Sequence, residues 1–208
     1  TAVRRRLAKR LAGAEPGARW ATIGYDGVLH GTRSGVGQAP GLDQLADQLL
    51  NPKKVGLFLD HALQGVSDLH ALVRLVSGGA VAGLGSPNSR LSAERITVVG
   101  HGMGADIAVP FLVHEPLVEA AVLASVSGNI MNQLRYRESP VNHRAEMVLT
   151  LGDEDLNGMH PGLHLMQQRL DMRDPVNYAD LLRRPPEGIT PKHLMVIYGL
   201  NNAQLPLE

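Results

Sequence analysis

Apolar positions follow two different patterns along this chain, and each pattern predicts one kind of element. From Ala62 to Ser77, leucine and valine return every three or four positions, which is the spacing of one helical face, and Gly78 and Gly79 end it. Ile96–Gly100 is instead a β-branched run closed by glycine, which is typical of a strand buried in a parallel sheet.

The same patterns over the whole chain predict strands that alternate with helices, and this alternation indicates an α/β fold with a parallel sheet. Pro110 predicts a kink or an early stop in its helix. Residues 129–190 are richer in Met, Asn, Gln, His and Arg and are interpreted as an insertion with helical stretches. The predicted strands are Ala21–Asp26, Ile96–Gly100, Val118–Val126 and His193–Tyr198, and the predicted helices are Ala2–Ala12, Ala62–Ser77, Ala105–Val113, Ala145–Leu151 and His164–Leu170.

Composition and charge exclude several classes of function. Hydrophobic residues make up 44% of the 208 positions, so the chain can bury a core as one domain. Its 20 basic and 20 acidic side chains balance, whereas domains that bind nucleic acid or anionic membranes normally carry a basic excess. The absence of cysteine excludes disulfides, thiolate zinc sites and cysteine nucleophiles. No run reaches the ~18 apolar residues of a membrane span.

The most specific stretch is Val98–Ala105, where a predicted strand enters a Gly-x-x-x-Gly sequence and then a helix. This order is the frame of a nucleophile elbow, Gly-x-Ser-x-Gly, whose central residue lies in a strained turn beside the positive end of the helix. The central position here is Gly102. Glycine has no side chain, so no nucleophilic atom can be presented from this turn.

Several further stretches of the chain occur together with this Gly-x-x-x-Gly sequence. As an ordered set, they resemble bacterial α/β-hydrolase-fold esterases and lipases, particularly a lipoprotein-like group. The resemblance implies a parallel sheet of α/β-hydrolase type, incomplete at both ends, with a core of residues 1–128 and 191–208 and a helical cap at 129–190. The resemblance also favours a location in the cell envelope or secretion from the cell. The stretches are Asp26–Arg33, similar to the family's Asp-x-Pro-Leu-His-Gly-x-Arg loop; Ala62–Leu69, similar to its Gln-x-x-x-Asp-Leu helix; His160–Gln167 and Asp174–Tyr178, similar to its cap; and His193–Pro206, similar to its strand 7 and Gly-Leu-Gly-Asp-x-x-x-Pro turn.

The departures from that family fall on the residues that carry its chemistry. The family's nucleophilic serine falls on Gly102, and its acid falls on Asn202, whose amide cannot stabilise the imidazolium formed during catalysis. The family's histidine would follow strand 8, beyond Glu208. These departures favour a catalytically inactive pseudoenzyme that serves as a structural or assembly subunit and can retain a ligand pocket. The alternative is a serine ester hydrolase, seen as a mutated or incomplete chain, with the backbone amide of Met103 as one oxyanion donor.

The same resemblance makes Ala2–Ala12 the helix after strand 3, so that strand 3 would precede Thr1. Strand 3 lies between strands 4 and 5 in this fold, and the strands Ala21–Asp26 and Ile96–Gly100 would each face a gap with an unpaired backbone edge. A protein partner or a further segment of the same chain is expected to complete the sheet. No metal, organic cofactor, nucleic acid or transmembrane segment is expected.

Several histidines could belong to a site. His101, beside Gly102, is a candidate pocket residue because histidine can act as a general base, although the family keeps a structural histidine there. His30 could reach a pocket, but a turn residue bonded to backbone is the simpler expectation. His160 and His164 are four positions apart, a spacing that permits zinc, yet no third ligand is evident and a solvated or core pair is the alternative.

One polar stretch resembles the first half of a calcium loop through Asp153, Asp155 and Asn157. Such a loop needs a bidentate Glu at its twelfth position, where His164 stands, so turn formation is the alternative. A set of methionines could line an acyl-binding pocket under the cap or could fill the core. These methionines are Met131, Met147, Met159, Met166 and Met172.

Overall fold

In the computed structural model, the described residues are 6–7, 9–11, 20–30, 33, 51–79, 91–136 and 142–199. They form one three-stranded parallel sheet, in the order β1 (Ile96–His101), β2 (Val118–Ala124) and β3 (His193–Ile197). An α/β class with a parallel sheet is therefore confirmed, and each of these strands lies where the apolar runs predict one.

Among the described residues, six helices with both ends defined surround or extend this sheet, and two short 3-10 helices with defined ends connect them. Residues 6–7 and 9–11 are also helical, within the predicted helix Ala2–Ala12, whose remaining positions lie outside the described residues. The helices are α1 (Val55–Ser77), α2 (Met103–His114), α3 (Ile130–Tyr136), α4 (His143–Leu151), α5 (Pro161–Leu170) and α6 (Ala179–Arg183), and the 3-10 helices are Pro52–Lys54 and Pro175–Tyr178.

The predicted strand Ala21–Asp26 is wrong. Residues 20–27 have no regular secondary structure, and Ile23 is 43% exposed. An extended apolar segment becomes a strand only where a neighbouring strand bonds its backbone groups. None of β1, β2 and β3 pairs with it.

Of the two outcomes predicted at Pro110, the early stop is wrong, because α2 continues through this residue to His114. Proline inside a helix removes a backbone hydrogen bond and costs roughly 3 kcal/mol. The helix is buried along nearly its whole second half, including Phe111 and Leu112. Burial of that apolar surface outweighs the local preference against helix.

Two apolar cores hold these elements together. The first lies between the sheet, α2 and the C-terminal half of α1, and it includes Val73, Phe111 and Leu123. The second joins the N-terminal part of α1 to α3, α4 and α5, and it includes Phe58 and Met147. Helix α1 contributes to both cores, and so does α2, whose Met103 packs against the second core.

The opposite face of the sheet is apolar and uncovered by the described residues. Val99, Val122 and Met195 lie in one register across the three strands, and Val99 and Met195 are 56% and 58% exposed. β3 is exposed along its entire length. β1 bonds only β2, so the strand expected to complete the sheet beside it is not among the described residues. None of the helices in the described ranges is both long and apolar enough to cross a membrane.

Candidate functional site

The turn between β1 and α2 holds its central glycine in a left-handed conformation. Gly102 has φ of 54° and ψ of −127°, a region that residues with a side chain rarely adopt. Its N–H donates to the carbonyl of Ala124 at 2.9 Å, and its own carbonyl accepts from Ala105 and Asp106 at 2.8 and 3.1 Å. A Cβ atom at Gly102 would have no neighbour within 4 Å. The turn therefore has space for a nucleophilic side chain and carries none.

A second glycine permits the close approach of strand and helix. A Cβ atom at Gly100 would lie 2.7 Å from the Cα of Ala105 and 2.9 Å from its nitrogen. Gly104, in contrast, faces open space. Of the two outer glycines in the Gly-x-x-x-Gly sequence, only Gly100 is required by packing.

A small cavity adjoins this turn, between α1, α2 and the segment around His30. Its volume is about 20 Å³, which exceeds the ~10–15 Å³ that one water molecule needs. The wall is mostly apolar, with polar groups only from histidine, arginine and backbone. The lining residues are Gly27, Val28, His30, Phe58, His61, Ala62, Met103, Ile107 and Arg173.

Arg173 is the charged residue of this wall, and it is only 2% exposed. Its guanidinium carbon lies 3.8 Å from the centre of the Phe58 ring, and Nη1 donates to the Phe58 carbonyl at 3.3 Å. Burial lowers the pKa of Arg173 to about 10, against the opposing fields of Asp106 and Asp174. Its Nε atom is buried and has no partner among the described residues.

The two carboxylates near Arg173 are held by backbone N–H groups. Oδ1 of Asp106 accepts from the N–H of Ser127 at 2.6 Å, and burial raises the pKa of this carboxyl group. Asp174 is fully buried and accepts from the N–H groups of Asn129, Ile130 and Val176 and from the side chain of Gln167. Both carboxylates act on the buried guanidinium through their charge, while their oxygens are hydrogen-bonded to backbone.

His61 supplies the second polar group of the wall. Its Nε2 atom is buried without a partner among the described residues, and burial lowers the pKa of the ring. His61 and Arg173 were both missed by the sequence patterns. His61 precedes the predicted helix start at Ala62, whereas α1 begins at Val55, and Arg173 meets Phe58 across 115 positions of chain.

Two of the family-like stretches meet beside the cavity, around Asp68 of α1. The carboxylate accepts from Tyr25 at 2.9 Å, from Arg33 at 2.5 Å and from Gln64 at 2.7 Å. Burial, followed by the neighbouring Asp68, raises the pKa of Tyr25 to about 12. These contacts attach Tyr25 and Arg33, on either side of His30 in the sequence, to α1.

The structure separates the residues that the sequence grouped around Gly102. Met103 lines the cavity, but His101 is exposed at the end of β1 and does not line it. His30 lines the cavity and its Nδ1 atom lies 2.9 Å from the Val28 carbonyl, so it is both a wall residue and a turn residue. Asn202 lies outside the described residues.

The stretch that resembles the first half of a calcium loop forms local turns. Asp153 accepts from the N–H of Asp155 at 3.0 Å, and Asn157 accepts from that of Met159 at 2.9 Å. His160 caps α5 by accepting from the Gly162 N–H at 3.0 Å. Over the described ranges, no group of three or more His, Asp or Glu residues could hold a metal ion.

The five methionines are distributed between the core and the surface. Met131 and Met147 are buried in the second core and Met166 packs against it, whereas Met159 and Met172 are largely exposed. None of them lines the described cavity. The contacts of Met131, Met147 and Met166 are those of core filler.

Comparisons of the chain with protein-family models, with curated proteins and with solved structures found no match. The chemistry available at the cavity is that of its own wall. Arg173 and His61 are the buried charged residue and the buried histidine nitrogen of that wall, and Gly102 beside it offers no nucleophile.

Proposed function

We propose that this chain is a catalytically inactive protein of α/β-hydrolase type, a structural or assembly subunit that retains a small ligand pocket. One observation carries the proposal. Gly102 occupies the centre of a strand–turn–helix with φ of 54° and open space where a side chain would stand, next to a cavity of about 20 Å³. The turn has the form that presents a nucleophile, without the nucleophile.

The hydrolase-type assignment rests on the resemblance together with the order of the elements. In this proposal residues 1–128 and 191–208 form the core, and residues 129–190 form a cap. The helical character of α3 to α6, the packing of α3 on α4 and α5, and the packing of α5 against α1 support a cap. The asparagine at position 202, where the family has its acid, supports loss of catalysis.

The subunit role is supported by the uncovered face of the sheet. An apolar sheet face and an unpaired β1 edge are surfaces that folded proteins normally cover. We propose that a protein partner, or a further segment of the same chain, completes the sheet beside β1. The balanced charge of the chain gives no reason to propose nucleic acid as that partner.

Loss of catalysis is tested by a fluorophosphonate probe and by short-chain nitrophenyl esters, with an active serine esterase as the positive control. We expect neither labelling nor turnover, because no side chain occupies the turn at Gly102. Stoichiometric labelling of the peptide that contains the β1–α2 turn would contradict the proposal.

The alternative, a serine ester hydrolase in a mutated or incomplete form, is favoured by the position of Met103 at the cavity, where its amide could serve an oxyanion. The pair Gly102→Ser and Gly102→Ala separates the two. We expect little activity from either variant, because triad members act as a unit and the acid is lacking. Ester turnover by the serine variant alone would favour the hydrolase.

Completion of the sheet is tested on the purified chain. We expect it to self-associate and to bind an apolar dye, because the outer face presents Val99 and Met195 to solvent. Val99→Glu should reduce both effects, whereas Leu149→Glu, at a residue that is 80% exposed on α4, should not. A monodisperse wild-type monomer without dye binding would contradict the subunit role.

A further inference from the structure

The turn between α4 and α5 contains Asn157 and Gly158, the one asparagine–glycine pair in the sequence. Both residues are exposed, so water reaches the side-chain amide and the peptide bond that follows it. The carbonyl carbon of an asparagine side chain can be attacked by the backbone nitrogen of the next residue, and glycine presents that nitrogen without a Cβ atom to hinder the approach. The pair therefore has the groups needed for spontaneous deamidation.

The fold supports the amide oxygen of Asn157 in the way this reaction needs. Oδ1 of Asn157 accepts a hydrogen bond from the N–H of Met159 at 2.9 Å. This bond closes a ring of atoms that also contains Cγ of Asn157 and the nitrogen of Gly158, so one turn holds both the electrophile and the nucleophile. When the nitrogen attacks Cγ, negative charge develops on Oδ1, where an N–H donor is already directed.

Arg135, near the end of α3, brings a positive charge to the same turn. It is only 8% exposed, and its Nη1 atom donates to the carbonyl of Leu156 at 3.3 Å, directly before Asn157. On the other side of Asn157, a Cβ atom at Gly158 would lie 3.3 Å from Nη1 and 3.6 Å from Cζ of Arg135. The guanidinium therefore lies against both neighbours of Asn157. It forms no ion pair with a described residue, although a buried cation is costly without a counter-ion.

We propose that Asn157 is a site of spontaneous deamidation, assisted by Arg135 and by the N–H of Met159. The nitrogen of Gly158 forms a bond to Cγ of Asn157, the Cγ–Nδ2 bond breaks, and the proton of the attacking nitrogen leaves with Nδ2 as ammonia. Water then opens the succinimide ring at either of its carbonyl groups, which gives aspartate or isoaspartate. The guanidinium stabilises the peptide nitrogen as it loses its proton and offers the new carboxylate a cation.

The reaction changes the charge of this surface as well as its covalent structure. The formal net charge of the chain, which is zero, becomes one unit more negative, and the new carboxylate joins Asp153, Glu154 and Asp155 in the same turn. The fraction of aspartate and isoaspartate rises with the age of the molecule, so this turn changes with time without an enzyme. The site is independent of the proposed function, because it uses neither the cavity nor the turn at Gly102.

The experiment incubates the full chain at mildly alkaline pH and follows its tryptic peptides by mass spectrometry, since replacing NH2 by OH raises the mass. Trypsin cleaves after arginine, so Asn157 is the single asparagine of peptide 145–169 and Asn142 is that of peptide 138–144. Asn142 is the internal control, because its side chain also accepts a backbone N–H but a fully buried histidine follows it. We expect peptide 145–169 to become a mixture of aspartate and isoaspartate at position 157, and peptide 138–144 to stay unchanged.

Variants test the part played by each group. In the folded chain, we expect Arg135→Met to slow the reaction at Asn157 by about 5-fold or more, and Arg135→Lys, which keeps the charge, to slow it less. Gly158→Ala should slow the reaction in the folded and the unfolded chain, because its Cβ atom hinders the attacking nitrogen. In guanidinium chloride, where the turn is lost, wild type and Arg135→Met should react at the same rate.

The folded wild-type chain should react at least as fast as the same chain unfolded in guanidinium chloride, because the fold supplies both the donor and the cation. A folded rate below the unfolded rate, or equal folded rates for wild type and Arg135→Met, would overturn the proposal. Conversion of Asn142 as fast as that of Asn157 would also overturn it, because the fold would then not select the site. If Arg135→Met does not fold, the comparison of folded with unfolded wild type decides.

Discussion

Replacing Gly100 by alanine tests whether the close contact between β1 and α2 limits the fold. The added Cβ atom would lie 2.7 Å from the Cα of Ala105 and 2.9 Å from both the nitrogen of Ala105 and the carbonyl oxygen of Gly104. All three neighbours are backbone atoms at the start of a helix. They cannot rotate away as a flexible side chain can, so either the strand or the whole helix has to move.

The size of that movement gives the expected free energy. Ordinary contact begins at 3.4 Å, so the nearest approach is too short by about 0.7 Å. The first core packs tightly on both sides of the contact, with Ala105 and Leu112 fully buried. Overpacking of a well-packed core costs typically 1–3 kcal/mol. Because only backbone can yield here, we expect Gly100→Ala to lower the free energy of unfolding by about 3 kcal/mol.

Two neighbouring glycines serve as controls. Gly102→Ala has open space but a positive φ, so it should cost about 1–2 kcal/mol from backbone strain alone. Gly104→Ala has open space and helical backbone, so it should be neutral or stabilising by up to about 1 kcal/mol.

Urea unfolding followed by circular dichroism measures all three variants. With a slope of about 2 kcal/mol per M, a loss of 3 kcal/mol moves the midpoint of Gly100→Ala down by about 1.5 M with the slope unchanged. The reasoning would be refuted by a Gly100→Ala midpoint within about 0.3 M of wild type, or by a Gly104→Ala variant as unstable as Gly100→Ala.

Three further predictions concern charged and titrating groups. Asp68→Asn should lower the pKa of Tyr25 from about 12 towards 10, although burial should keep it above 10. A spectrophotometric titration measures this pKa, with Tyr25→Phe as the reference that lacks the phenol. An unchanged titration would contradict the contact between Tyr25 and Asp68. Because that pKa is raised in the folded state, wild type should lose stability more steeply than Tyr25→Phe between pH 10 and 12, and equal losses would count against it. Arg173→Met should cost about 3–5 kcal/mol at pH 8, because Asp106 and Asp174 lose their cation. Burial raises the pKa of Asp106, so more of this carboxyl group is protonated at pH 5 and the cost of Arg173→Met should be smaller there. A loss of stability that does not depend on pH would refute the role of Asp106.

The sheet was largely predictable, because each of its strands is a continuous apolar run of strand length. Ile96–His101 and His193–Ile197 differ from the predicted bounds by one residue at one end. The helical spacing also placed α1, although its apolar pattern continues seven positions before the predicted start at Ala62. Local pattern is informative for β1, β2 and α1 because each of them packs apolar residues into the first core.

The errors and omissions come from tertiary contacts. Whether Ala21–Asp26 pairs as a strand depends on a neighbour that no local pattern specifies, and Pro110 is tolerated because the helix around it is buried. The same limit applies to the cavity. Arg173 and Phe58 are distant in sequence, and neither residue type signals that the two would stack. The glycine frame at positions 100–104 was recognisable because its chemistry is local.

Helix α1 has a mechanical consequence for the whole domain. Its 23 residues form a rod about 34 Å long, with Phe58 seated in one core and Val73 in the other. Melting either half would remove an apolar face from one core and shorten the cooperative helix that serves the other. We therefore expect the amide hydrogens of α1 to exchange as a single unit, near the free energy of global opening, in both halves of the rod.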